Sequence, residues 1–551
     1  MSQKGASFLT FLLIVFVNVA CKAAAQTPPD LYAHGMQAAQ QGQYTQAIRY
    51  FQHAIQRDPT SAQAYAGLGT VYMQVSKFAE AEGVLKQALD IAPGLLQAEA
   101  NLALLYTRTG RNDAAIDLYG KLSRNHPDSL QIQIGLATAY QKASRFAEAI
   151  DAYHRTLNLS PKLAEAMTNL ASCYEAVKQQ EQAIRYYESA LALNPELSMA
   201  NGNLGAIYQK QGELDKARPL LKKAIRLNPN FTAASYSLGL IASKHREFQR
   251  AADLYRRVIA QQPDHIGAYY NLAQALFRLK QAPEGKRAME TYRRLNAIAQ
   301  EIDTRERAIL LEPSNPRKQY QLGRTYEKHG KFDKALEAYE AAVKLQPEYA
   351  TAHYKLGKLY FRKGRLSEAE NAYLSAIAVA PEQAALHAGL GAVYYVQDRF
   401  EDALAEYKTA VVYDASLVHA QVGIAVIHHR RGKFEDARAA YQNALKLDAD
   451  AHYALNGLAR LYLEDASSSG TQSLPTGQRA AKIQETIALA EKAVRLAPIP
   501  QYLQTLALAY FQAGAHQKAL KAIQTAIEME PENDAFRQTL AKMKEANEKT
   551  K

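Results

Sequence analysis

Seven prolines, Pro59, Pro93, Pro127, Pro161, Pro195, Pro229 and Pro263, each follow the previous one by 34 residues. A period of that length points to a supersecondary unit that has been copied, and it overrides the several globular domains that 551 residues would otherwise suggest. One unit reads AQAYAGLGTVYMQVSKFAEAEGVLKQALDIAP over 62–93. Tyr65, Leu68, Gly69 and Tyr72 recur at three- and four-residue steps, which is one stripe of a helix; Ala81, Val84, Leu85, Ala88 and Leu89 form a second. A polar turn around Ser76 and Lys77 separates the stripes. Pro93 closes the second helix, because proline disfavours α geometry in the residue before it. Gly69 and Ala81 mark the crossing of the two helices, where a larger side chain would hold them apart. Two short amphipathic helices cannot bury their stripes alone, so each pair needs the next stacked on it.

Tyr65, Leu68, Gly69, Tyr72, Ala81, Leu85 and Pro93 resemble the tetratricopeptide repeat, W-x2-L-G-x2-Y…A-x3-F…P. Carried along the chain, this frame starts units at 28, 62, 96, 130, 164, 198, 232, 266, 316, 350, 384, 418, 452 and 500. The glycine position is small in every unit, from Gly35 to Ala507. The departures are the absence of Trp, which Tyr, Met or a polar residue replaces, and Ala415 and Ala449 in place of the closing proline. The resemblance implies an all-α fold, a right-handed superhelical α-solenoid of about 14 stacked antiparallel helix pairs. It also implies that the first helices line a concave face and that the chain binds protein or peptide partners.

Residues 1–25 read as a secretory leader: Lys4, an apolar run from Phe8 to Val17, and Ala23-Ala24-Ala25 before Gln26. A second reading is lipidation of Cys21, since Asn18-Val19-Ala20-Cys21 resembles a bacterial lipobox although Asn18 stands where Leu is usual. A third is an uncleaved anchor. All three put the repeats outside the cytoplasm, in a bacterial periplasm or envelope. Units one to eight occupy 28–297, a helical spacer 298–315, units nine to fourteen 316–531, and a capping helix 532–551. The spacer follows from Pro313, 50 rather than 34 residues after Pro263; Asp303–Arg307, DTRER, is too charged to bury and is the expected kink. The Ser/Gly/Thr-rich stretch within 465–480 of unit thirteen is expected to be a flexible loop.

No catalytic constellation survives the repeat, so no enzyme activity, cofactor, metal or nucleic-acid partner is expected. Gly67-Leu68-Gly69 sits inside a first helix with no preceding strand, unlike a phosphate loop. His353 and His387 recur at one position of neighbouring units with His419 close to that face, but no acidic or Cys partner accompanies them at ligand spacing. Cys173 falls among apolar repeat residues, as a small buried hydrophobe does. A net charge of +12 favours anionic partners, among them an acidic polysaccharide or a membrane surface. Lys222-Lys223 and Arg256-Arg257 occupy equivalent positions of adjacent units and should form a small basic strip, which is either a solvated outer face or an anion site. The candidate binding residues are Asn101, Asn169, Asn203 and Asn271, all at the sixth position of their units. They resemble the asparagine ladder of a nucleotide-sugar protein glycosyltransferase, and a carboxamide offers an acceptor and two donors to an extended peptide backbone. Gly135, Ser237, Gln321, Lys355 and Gly389 interrupt the row.

Overall fold

In a computed structural model, residues 31–467 and 476–549 are described. They form 29 helices and no strand, from Leu31–Gln40 to Asp534–Lys549. Within each compact part of the chain, consecutive helices pair and each pair packs on the next. The leader and Cys21 lie outside the described residues. The chain divides into two compact units, Met1–Asn296 and Ala297–Lys551.

Most pairs are set by a three-residue turn, the pair Ser198–Gln211 and Leu214–Leu227 by a two-residue one. After a first helix such as Ala62–Gln74 the residue at position 15 of the repeat takes a left-handed conformation. Gly110 and Gly330 do so without cost, whereas Ser76, Lys178 and Arg246 do so with a Cβ, at φ near +60°. The turn lets the next amide reach back five residues: Lys77 N–H donates to Tyr72 O at 2.9 Å, and Arg111 N–H to Tyr106 O at 2.9 Å. The cation that follows the turn then lies over the tyrosine that precedes it. Arg111 stacks on Tyr106 at 4.1 Å, Arg365 on Tyr360 at 4.5 Å and Arg399 on Tyr394 at 3.9 Å.

In most repeats the core is carried by an aromatic residue at position 24, in the second helix; Leu85, Leu221, Met289 and Ile523 stand there in four others. Tyr153, Tyr187, Tyr255 and Tyr339 are fully buried there. Each ring packs on the small residue at position 8 of its own repeat: a Cβ on Gly239 would lie 2.7 Å from Tyr255, and one on Gly323 would lie 2.6 Å from Tyr339. In several repeats the ring also reaches position 6 of the following repeat. Phe51 lies between Gly35 and Gly67, and Tyr407 between Gly391 and Gly423. One side chain therefore joins two repeats, which makes neighbour-to-neighbour contact the source of stability.

Asp303–Arg307, the expected kink, is helical throughout. The helix Ala282–Leu311 runs through it without a break. The run has no Pro or Gly, its five side chains are exposed, and Arg307 pairs with Asp303 one turn away at 2.9 Å, so the charges solvate a helix rather than end it. The helices around the second insertion are longer than expected. His452–Ser467 and Thr476–Leu496 extend into 465–480 from both sides, and 468–475 lies outside the described residues.

Candidate functional site

Successive first helices pack on one another along most of each unit, whereas no two successive second helices do so to a comparable degree. The first helices therefore form the tighter, inner wall of each unit, and their exposed side chains are its working surface.

The asparagine row lies on this wall, and the structure accounts for its breaks. Asn203 Nδ2 donates to the Tyr187 hydroxyl of the preceding repeat at 2.9 Å, and lies 3.5 Å from Ser172 Oγ. Asn169, at the same position, is 8% exposed, and the Tyr153 hydroxyl of the preceding repeat donates to Gln141 Oε1 at 2.7 Å. Asn271 donates to the Tyr236 hydroxyl at 2.9 Å, and that ring packs against Tyr255. Asn101, whose preceding position 24 is Leu85, donates to Thr70 Oγ1 at 2.7 Å instead. Where position 6 is glycine, the preceding tyrosine takes the space: a Cβ on Gly135 would lie 2.4 Å from Tyr119. Asparagine and glycine thus meet one requirement, to accommodate the phenol of the repeat before. Lys355 meets it through Glu327, which accepts from the Tyr339 hydroxyl at 2.7 Å and pairs with Lys355 at 3.0 Å. Burial pushes the phenols of Tyr153 and Tyr187 well above the usual tyrosine range, so they stay neutral donors.

Around this row the wall changes character. In the unit ending at Asn296, Met199, Tyr270 and Phe277 stand out from first helices at 38%, 42% and 40% exposure. In the unit beginning at Ala297, Arg324 and Lys358 occupy successive repeats at one position, both exposed, and Lys358 lies near enough to Glu327 to help hold that carboxylate below its usual range. Sequence reasoning missed the tyrosines at position 24. Their signal was the 34-residue recurrence of Tyr119, Tyr153 and Tyr187, and again of Tyr339, Tyr373, Tyr407 and Tyr441.

The histidine row has a structural task. His353 Nε2 faces Pro347 O at 2.8 Å, and His387 Nε2 faces Pro381 O at 2.7 Å. Gln133 and Asn201 serve Pro127 O and Pro195 O from the same position at 3.0 and 2.9 Å. The residue standing where the family pattern has Trp thus caps the carbonyl of the closing proline. His419 lies beside Tyr453, with ring centroids 5.0 Å apart. Among the described residues no three His, Cys, Asp or Glu side chains are grouped to hold a metal ion. Cys173 is buried, and burial pushes its thiol up to about 12, which suppresses the nucleophilic thiolate. No helix among the described residues is long and apolar enough to cross a membrane.

Four family models, each described as a tetratricopeptide repeat, match the chain. They cover 32–95, 73–139, 128–196, 174–231, 203–265, 242–301, 320–378, 354–416, 423–468 and 500–533. The chain belongs to the tetratricopeptide repeat family. No curated protein matches it. Solved structures similar to this tetratricopeptide repeat protein include the APC/C hetero-tetramer Cut9–Hcn1, at 14% identity and a TM-score of 0.39, with 93% of this chain and 96% of that chain covered. Naa15/Naa10 bound to HypK-THB matches at 16% identity and 0.32, covering 94% and 96%. YrrB, described as a TPR protein with an unusual peptide-binding site, matches at 18% identity and 0.28, covering 35% and 92%.

Proposed function

We propose that this tetratricopeptide repeat protein is a non-enzymatic scaffold whose first-helix wall holds an extended segment or a helix of a partner protein. The observation that carries the reading is a preformed wall on which Asn101, Asn203 and Asn271 are half-buried and Met199, Tyr270 and Phe277 stand exposed. Asn101 and Asn271 each spend one amide hydrogen on the repeat before, which leaves a second hydrogen and the carbonyl for a peptide backbone, and Asn203, which faces both Tyr187 and Ser172, keeps its carbonyl. Asn169 is buried and is not offered to a peptide. A surface built in advance avoids the cost of ordering itself on binding. The test is a pull-down of partner proteins with the full chain and with a Tyr270→Ala/Phe277→Ala variant. Loss of the same partners from the folded variant supports the reading, and unchanged capture overturns it.

Exposed Arg324 and Lys358 favour a second reading, a scaffold for envelope assembly or exopolysaccharide export that contacts anionic polymer or lipid. Binding of that kind collapses with salt and survives replacement of the four asparagines by alanine, whereas peptide binding on the wall does the reverse. Both readings place the repeats in a bacterial periplasm or envelope, on the strength of residues 1–25. Mass spectrometry of the mature protein distinguishes a chain starting at Gln26 from one lipidated at Cys21 or one retaining Met1. Retention of Met1 together with a cytoplasmic location overturns the placement.

A further inference from the structure

The second-helix face of repeats six to eight carries a concentration of charge that the inner wall does not explain. The helices Leu214–Leu227 and Phe248–Gln261, with residues 282–296 of Ala282–Leu311, bear twelve basic side chains and four acidic ones. That surplus of eight compares with +12 for the whole chain. None of the twelve is buried. Several are paired: Lys223 with Glu196 at 3.0 Å, Arg218 with Glu247 at 3.0 Å, and Arg256 with Glu284 at 2.9 Å and Asp253 at 3.0 Å. Lys222 and Arg257 are exposed and have no carboxylate partner among the described residues.

These two cations flank a groove of about 320 Å³ between the second helices of repeats six and seven. Its floor is apolar, made by Ile225, Leu238 and Leu254. Arg250 completes the rim. The one carboxylate that lines the groove, Asp253, already faces Arg256.

We propose that this groove docks an acidic segment of a partner protein, one bulky apolar side chain of the segment seating on Leu238 and Leu254 while its carboxylates meet Lys222 and Arg257. An apolar anchor in a pocket with a charged rim is the arrangement that concentrates binding energy and steers encounter. The floor selects among anions. A polysaccharide has no bulky apolar group to place there, and a flat bilayer surface cannot enter a cleft between two helices. The groove opens between second helices, with Leu238 of the first helix Thr232–Lys244 at its base, and shares none of the wall residues named above, so its occupancy is independent of whether that wall binds peptide.

The test is fluorescence anisotropy of the full chain with a short labelled peptide of Glu and Asp around one central Leu. The expected result is saturable binding that weakens at least about tenfold in Lys222→Glu/Arg257→Glu, and as much when the peptide's Leu becomes Gly. The same double reversal at Lys121 and Arg124, on the second helix Asn112–Asn125 of another repeat, changes the affinity by less than about twofold because those residues are remote from Lys222 and Arg257 in the stack. Circular dichroism establishes that each variant is folded; the peptide substitution on the unaltered protein serves if the double variant is not. The proposal is overturned if no binding is seen, if the folded Lys222→Glu/Arg257→Glu protein keeps its affinity, if the glycine peptide binds as well as the leucine peptide, or if dextran sulfate or anionic vesicles bind as tightly as the peptide.

Discussion

The ring of Tyr373 occupies the space that Gly389 leaves empty: a Cβ at residue 389 would lie 2.4 Å from Tyr373 Cε1. The same ring packs on Gly357 of its own repeat, where a Cβ would lie 2.9 Å away. Tyr373 is 3% exposed and has no room to withdraw. Gly389→Ala is therefore expected to destabilise the protein by about 1–3 kcal/mol through overpacking. Gly83, in the helix Phe78–Ile91, meets nothing within 4 Å, and Gly83→Ala should stabilise by roughly 0.5–1 kcal/mol. Urea unfolding followed by circular dichroism checks both, and equal effects from the two substitutions would contradict the packing argument.

Asn203 and Tyr187 hold two repeats together through one hydrogen bond. Asn203→Ala should cost about 1–2 kcal/mol, because the buried phenol keeps only its bonds to Ser172 and Glu175. In a double-mutant cycle with Tyr187→Phe the coupling should be at least about 0.5 kcal/mol. Additive effects would mean that the pair does not interact in solution.

Arg246 holds φ near +60° at the turn position where Gly110 and Gly330 stand in other repeats. Its ring of alternatives is narrow, since only glycine takes this conformation freely. Arg246→Gly is expected to raise the unfolding midpoint, by about 0.5–1 kcal/mol in stability, the relief of left-handed strain exceeding the added freedom of the unfolded chain. A lower midpoint would count against strain at this turn.

Burial pushes the Tyr255 phenol up to about 12, and burial with a hydrogen bond to Glu188 raises Tyr208 to about 12. The folded state keeps these protons where the unfolded state loses them. Their contribution is complete below pH ~10 and is lost as pH rises toward 12, on the order of 2 kcal/mol for Tyr255. At the other end, its hydrogen bond with Arg111 holds Glu82 down at about 2, so that contribution is present above pH ~4.5 and is lost as pH falls through about 2. The last phase of phenolate absorbance, from the buried rings, should coincide with loss of helical dichroism above pH ~10, whereas complete titration before helix is lost would show those phenols to be accessible.

The helix pairs could be read from residue types because each is a local object. Stripe spacing, a polar turn and a closing proline all lie within one 34-residue window. The seam between repeats was less visible. Asparagine, glycine and lysine at position 6 look unrelated until the phenol of the preceding repeat is placed against them, since a hydrogen bond, an empty site and an ion pair leave no common residue type. His353 and His387 formed a row in the sequence, and what they face, the carbonyls of Pro347 and Pro381, is backbone that carries no residue signature. At Asp303–Arg307 a run of charge signals exposure, and exposure is as compatible with continued helix as with a bend.

Periodicity along the chain was enough to establish that this protein is a stack of helix pairs, because amphipathic spacing and chain-breaking residues act over distances shorter than one repeat. Which side chains lock one pair to the next, which cations remain without a carboxylate and where an apolar floor lies open between helices depended on contacts between residues some 30 positions apart, such as Asn203 and Ser172. Those contacts depend on packing geometry that residue type alone does not encode.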